Sequence, residues 1–133
     1  MMAGMNSPIN VTEIAFTAYP VTDMARARTF YEGVFNLKET ACFEHEGKSW
    51  VEYDVGAATL ALSNMSADQW KPSNDGPSTA LEVEDFEGAI AAVREFGSPF
   101  HVEPMDSGVC QLAVIGDPDG NSLIVHKRNA KQG

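Results

Sequence analysis

The chain has 133 residues, 44% of them hydrophobic and 21% charged, which suits one globular domain with its own core. No stretch approaches the roughly 18 apolar residues of a membrane span, and the opening MMAGMNSPIN has neither the basic residues nor the apolar run of a signal peptide. A cytoplasmic protein is expected, with no membrane partner. The net charge of −10 argues against nucleic acid, whose phosphates it would repel. It is compatible with a cationic ligand, which an acidic surface concentrates, although solubility is the simpler account of it. Cys42 and Cys110 lie 68 positions apart with no CxxC pair, so no structural zinc site is expected. Each cysteine reads as a small buried hydrophobe.

In chain order, residues 1–11 read as a tail. A strand follows in which Thr17, Tyr19 and Val21 alternate with Phe16, Ala18 and Pro20. Thr22 and Asp23 are suited to cap a helix. In that helix Met24, Ala27, Phe30, Tyr31 and Val34 fall at helical spacing, and it ends near Gly33 to Asn36. Strands are expected at residues 38–44, 49–55 and 59–63, punctuated by Glu46-Gly47 and Gly56-Ala57. Residues 65–77 form a linker by their Pro, Gly, Asn and Ser content, with Trp70 as the one large apolar group.

The grammar then repeats. Thr79, Leu81 and Val83 alternate with Ser78, Ala80 and Glu82, and Glu84-Asp85 offer a cap. Phe86, Ala89, Ile90, Val93 and Phe96 fall on one helical stripe that stops at Gly97. Strands follow at residues 100–104, 110–115 and 122–127, and 129–133 is a short tail. The offset between the two openings is 62 residues, and it aligns Thr17 with Thr79, Val21 with Val83 and Asp23 with Asp85. The chain is therefore an α+β domain over residues 12–128, with module one at 12–64 and module two at 78–128. Each module runs strand, helix, then three strands.

Three motifs, VTDMARARTFYEGVFNL, STALEVEDFEGAIAAV and DPDGNSLIVH, resemble the vicinal oxygen chelate superfamily, which includes glyoxalase I, bleomycin-resistance proteins and extradiol dioxygenases. The resemblance implies two βαβββ modules forming a cup-shaped, partly open barrel, with helices outside and a ligand in the cup. It also implies a homodimer whose subunits share the site. Strand parity then assigns side chains. Thr17, Tyr19, Val21, Thr79, Leu81 and Val83 face the core, and Phe16, Ala18, Pro20, Ser78, Ala80 and Glu82 face the cup. Trp50 has the parity opposite to Val51 and Tyr53 and offers an aromatic wall.

Metal-dependent relatives carry His, Gln or Glu at four strand positions. By the resemblance these fall on Phe16, Ala61, Ser78 and Ile124. Phe, Ala and Ile offer no lone pair, and Ser rarely binds a metal. No metal and no cofactor is therefore expected. His45 sits in the charged turn EHEGK and reads as solvated, and His101 reads as a surface or satisfied histidine. His126 shares the parity of Ile124 and Glu82 that of Ser78. If these two meet at the rim they form an acid–base pair, hold a polar ligand, or make an ion pair of no consequence to chemistry.

Four functions follow. The first is a metal-free small-molecule binder resembling bleomycin-resistance proteins, with a cup of Phe16, Ala18, Trp50, Ala61, Ser78, Glu82, Ile124 and His126 and a cationic or aromatic guest. The others are a metal-dependent lyase, isomerase or dioxygenase, a metal-free enzyme with Glu82 and His126 as catalytic residues, and an interaction domain with a vestigial cup. The first is the reading adopted.

Overall fold

The computed structural model describes residues 7–130. The tails expected at 1–11 and 129–133 thus lie partly outside the described residues. Module one comprises β1 (Thr17–Pro20), α1 (Met24–Arg28), a π-helical turn (Thr29–Val34), β2 (Glu39–His45), β3 (Lys48–Val55) and β4 (Ala58–Ser63). Module two comprises β5 (Thr79–Glu82), α2 (Phe86–Phe96), β6 (Phe100–Asp106), β7 (Cys110–Gly116) and β8 (Ser122–Arg128). Each module builds one four-stranded sheet, ordered β1-β4-β3-β2 in the first and β5-β8-β7-β6 in the second. The first strand of each lies parallel to the last, and the other pairings are antiparallel. The two sheets do not close into a barrel.

Each sheet buries one face under its helix. In module one Tyr19, Val51, Tyr53, Leu60 and Leu62 are buried with Ala27, Phe30 and Tyr31. In module two Leu81, Ala113, Ile115, Leu123 and Val125 are buried with Phe86, Ile90 and Val93. All belong to a single cluster, so the modules share one core. Each fully buried large apolar side chain contributes about 1.5–3 kcal/mol. The Phe30 and Phe96 rings meet with centroids 5.2 Å apart, which joins the two helices.

The helix ends follow the caps in the sequence. The Asp23 carboxylate accepts from the Arg26 N–H and that of Asp85 from the Gly88 N–H. Gly97 closes α2 at φ 95°, a conformation that suits glycine. The first helix differs from expectation. It is α-helical only to Arg28, and a wider turn closes when the Phe35 N–H donates to the Phe30 carbonyl at 3.3 Å. Adjacent Phe30 and Tyr31 are both fully buried, although Phe30 packs on Phe96 and Tyr31 bonds to module two. A uniform α-helical period does not anticipate that double demand. Three further departures are small. Cys42, expected to be buried, is exposed because it lies on β2, the edge strand of its sheet. Thr17 is exposed because it starts β1 beyond the helix cover. β6 runs two residues past Pro104 because β6 is an edge strand, irregularly paired between Val102 and Met105, where a proline is tolerated.

The modules are pinned together by polar contacts at the turn 117–121. Buried Asp117 accepts from Tyr31 Oη at 2.7 Å, from Asn121 Nδ2 at 3.0 Å, and from the backbone N–H groups of Asp119 and Asn121. Asn121 Nδ2 also donates to the Pro20 carbonyl. Tyr19 Oη donates to the Ser122 carbonyl and accepts from the Thr79 N–H. Burial lifts the Asp117 carboxyl above the usual aspartate range, although its four donors pull the other way. A carboxyl raised on folding holds its proton more tightly in the folded chain. Its contribution to stability therefore falls as pH rises from the unfolded value through the folded one. The Tyr31→Phe variant should lose about 1.5–3 kcal/mol in urea unfolding, because it removes a hydrogen bond to a buried charged group. A loss below about 0.5 kcal/mol would mean that this contact does not hold the modules together.

Candidate ligand-binding faces

The face of each sheet away from its helix carries the predicted site residues. On the first sheet, register sets Phe43 opposite Trp50 and Trp50 opposite Ser63. A second row runs Ala41, Glu52, Ala61 and Ala18. Phe16 precedes β1 and meets Trp50 edge to face, with centroids 5.2 Å apart and planes at 86°. Trp50 Nε1 donates to Glu52 Oε2 at 2.8 Å. Ala61 is fully buried between its strand neighbours, so it offers no free surface, and Ala18 is half-buried. Phe16 is 47% and Phe43 58% exposed, which leaves an open aromatic surface beside a carboxylate. Phe43 and Glu52 were missed from sequence. Glu52 lies two residues after Trp50, so strand period alone could have found it.

On the second sheet, Ser78 joins Ser122 by a 2.9 Å hydroxyl contact, Ala80 pairs with Ile124, and Glu82 pairs with His126. Val114 and Leu112 extend the last two rows onto β7. The floor is thus apolar at Ile124 and polar at both ends. Glu82 and His126 meet, with His126 Nδ1 2.6 Å from Glu82 Oε1. Glu82 Oε2 accepts the Arg128 N–H at 2.7 Å. That backbone donor, then the histidine, holds the Glu82 carboxyl below the usual glutamate range. His45 is solvent-exposed as the last residue of β2, 3.8 Å from Glu46, and His101 is exposed on β6. The sheets bring together Phe16 with Trp50, Ser78 with Ser122 and Glu82 with His126. A cavity of ≈ 230 Å³ at the junction of the modules is lined by Thr17, Thr59, Ala80 and Glu82, among others.

The four positions at which the resemblance places a metal site do not carry side chains that fit one. Phe16, Ala61 and Ile124 have no donor atom, and the Ser78 hydroxyl is engaged by Ser122. Among the described residues no group of three or more His, Cys, Asp or Glu side chains is placed to hold an ion. No helix among the described residues is long and apolar enough to cross a membrane.

With this geometry in view, the comparisons define the class. Residues 13–125 match the Glyoxalase/Bleomycin resistance protein/Dioxygenase superfamily, and the chain belongs to it. Among curated proteins no match reaches significance. The solved structures similar to it include TnmS3, an antibiotic binding protein from Streptomyces sp. CB03234. It is 18% identical, with a TM-score of 0.72, covering 91% of this chain and 99% of that one. A glyoxalase/bleomycin resistance protein from the same Streptomyces is 20% identical, with a TM-score of 0.66, covering 88% and 100%. The trypanothione-dependent glyoxalase I of Leishmania major is 23% identical, with a TM-score of 0.70, covering 90% and 87%. At these identities the likeness is one of fold.

Carbon-detected NMR titration of Glu82 should give a midpoint below 4.5, the ordinary value for this carboxyl. In His126→Ala the midpoint should rise only part of the way, because the Arg128 N–H is the larger cause. A full return to the ordinary value would assign the shift to the histidine instead.

Proposed function

We propose that this protein is a metal-free small-molecule binder of the bleomycin-resistance kind, sequestering a planar cationic guest in the cytoplasm. The observation that carries the reading is the open pair of Phe16 and Trp50 with the Glu52 carboxylate tied to the indole. Aromatic faces beside a carboxylate suit a flat cation. Each cation–π contact contributes about 0.5–2 kcal/mol, more as the site is desolvated. The net charge of −10 concentrates such a guest around the protein. The likeness in fold to an antibiotic binding protein is compatible with this use of the cup.

The acting unit in this reading is a homodimer, in which a second copy covers the helix-free faces. Ile9, Val11 and Ile14 are 76–78% exposed, and Met105 and Phe43 are 47% and 58% exposed on strand faces. Apolar exposure of this extent favours burial against a partner.

A second reading, a metal-free enzyme, is favoured by the contact between Glu82 and His126. With Nδ1 engaged by the carboxylate, Nε2 is the ring nitrogen left to face a bound substrate. Glyoxalase or dioxygenase chemistry through a metal finds no support in the donor set.

Titration with a panel of cationic aromatic compounds, followed by tryptophan fluorescence, tests the binder. Saturable quenching is expected, and Phe16→Ala should weaken it about two- to tenfold. A panel with no saturable change would remove the reading. A turnover abolished in the Glu82→Ala/His126→Ala double variant would replace it with the enzyme.

A further inference from the structure

His101 reads from sequence as a bystander, but the strand pairing gives it a position on the second sheet's helix-free face. β6 pairs Phe100 with Ile115 and then Val102 with Val114. One residue on β7 is passed while two are passed on β6, so His101 is the extra residue of a bulge, a device that re-aims a side chain. Gly116 supplies the second observation. It lies opposite Ser122, on the face away from the fully buried Ile115. A Cβ on Gly116 would stand 3.3 Å from His101 Nε2 and 2.9 Å from Pro99 Cγ. The Pro99 ring and the His101 imidazole therefore border the space that a side chain at Gly116 would take, and Gly116 pairs with Ser122, whose hydroxyl meets that of Ser78.

This gives the face two polar ends. His126 with Glu82 is one, and His101 with Ser78 and Ser122 is the other. Ala80, Ile124, Val114 and Val102 lie between them as an apolar floor. Ser122 and His126 are four residues apart along β8, which is about 13 Å at the rise of an extended strand.

We infer that His101 contacts ligand, and that this face takes a flat, elongated, apolar molecule with hydrogen-bonding groups at both ends, about 13 Å apart. The inference rests on the proposed use of the helix-free faces for ligand. For the second sheet's face it adds a length, an end-group chemistry and a residue to read them, separate from the aromatic pair that takes the cation. The apolar body covers the floor, which is too short of donors to hold a polar one. The end groups replace water on the imidazole nitrogens and hydroxyls.

The test uses hydroquinone and its two- and three-ring para-linked diol homologues against the full chain. Binding is followed by calorimetry and by the ring signals of both histidines. The longest diol is expected to bind best and to shift the His101 and His126 signals together. In His101→Ala, an exposed position where the fold tolerates change, the preference for the longest over the shortest diol should fall about three- to tenfold. His126→Ala should do the same from the other end. An unchanged length preference in His101→Ala, or none in the wild type, overturns the inference. So does failure of all three diols to bind. The cationic aromatic titration tests the underlying binding reading separately, so the two can fail independently.

Discussion

A single buried carboxylate, that of Asp117, organises much of this fold. It gathers the turn 117–121 through two backbone N–H groups, holds the first module's helix through Tyr31, and fixes Asn121, which reaches across to Pro20. Burying a charge costs far more than one hydrogen bond returns. The site persists because four donors converge on it at once. The same turn also joins Asp119 to Thr22 and Arg26, so the start of α1 is tied to the turn between β7 and β8. Two modules that could each have been a small, marginal unit thereby share one core.

That arrangement leaves the opposite face of each sheet uncovered by a helix among the described residues. A helix can bury only one side of a sheet, so the free side must meet solvent, ligand or another chain. In the first sheet the free side is aromatic and acidic. In the second it is apolar with polar ends. Function in this superfamily depends on what stands on these faces, and the fold alone does not say. Here Phe16, Trp50 and Ile124 stand on these faces and offer stacking and hydrophobic contact.

Much of this was legible in the sequence. Period 2 in both opening strands put Tyr19 and Leu81 in the core, and the 62-residue offset is kept by β1 with β5 and by the starts of the two helices. Parity also put Phe16 and Trp50, and Glu82 and His126, on common faces, and these pairs meet. What parity could not supply was register and irregularity. The partner of Trp50 across the sheet, Phe43, depends on how β2 pairs, which a local pattern does not encode. The bulge that turns His101 breaks the alternation on which the reading relied. The π-helical turn has the same origin, because a tertiary demand on Phe30 and Tyr31 together overrides the α-helical period.

In the function we propose, a small cationic guest, and no metal, occupies the shared faces of two chains. Native mass spectrometry of gently purified protein, with and without a cationic aromatic compound, tests it most directly. The account predicts a species of twice the chain mass that carries no stoichiometric transition metal and gains the mass of the added compound. A species with one transition-metal ion per chain and no adduct would contradict it.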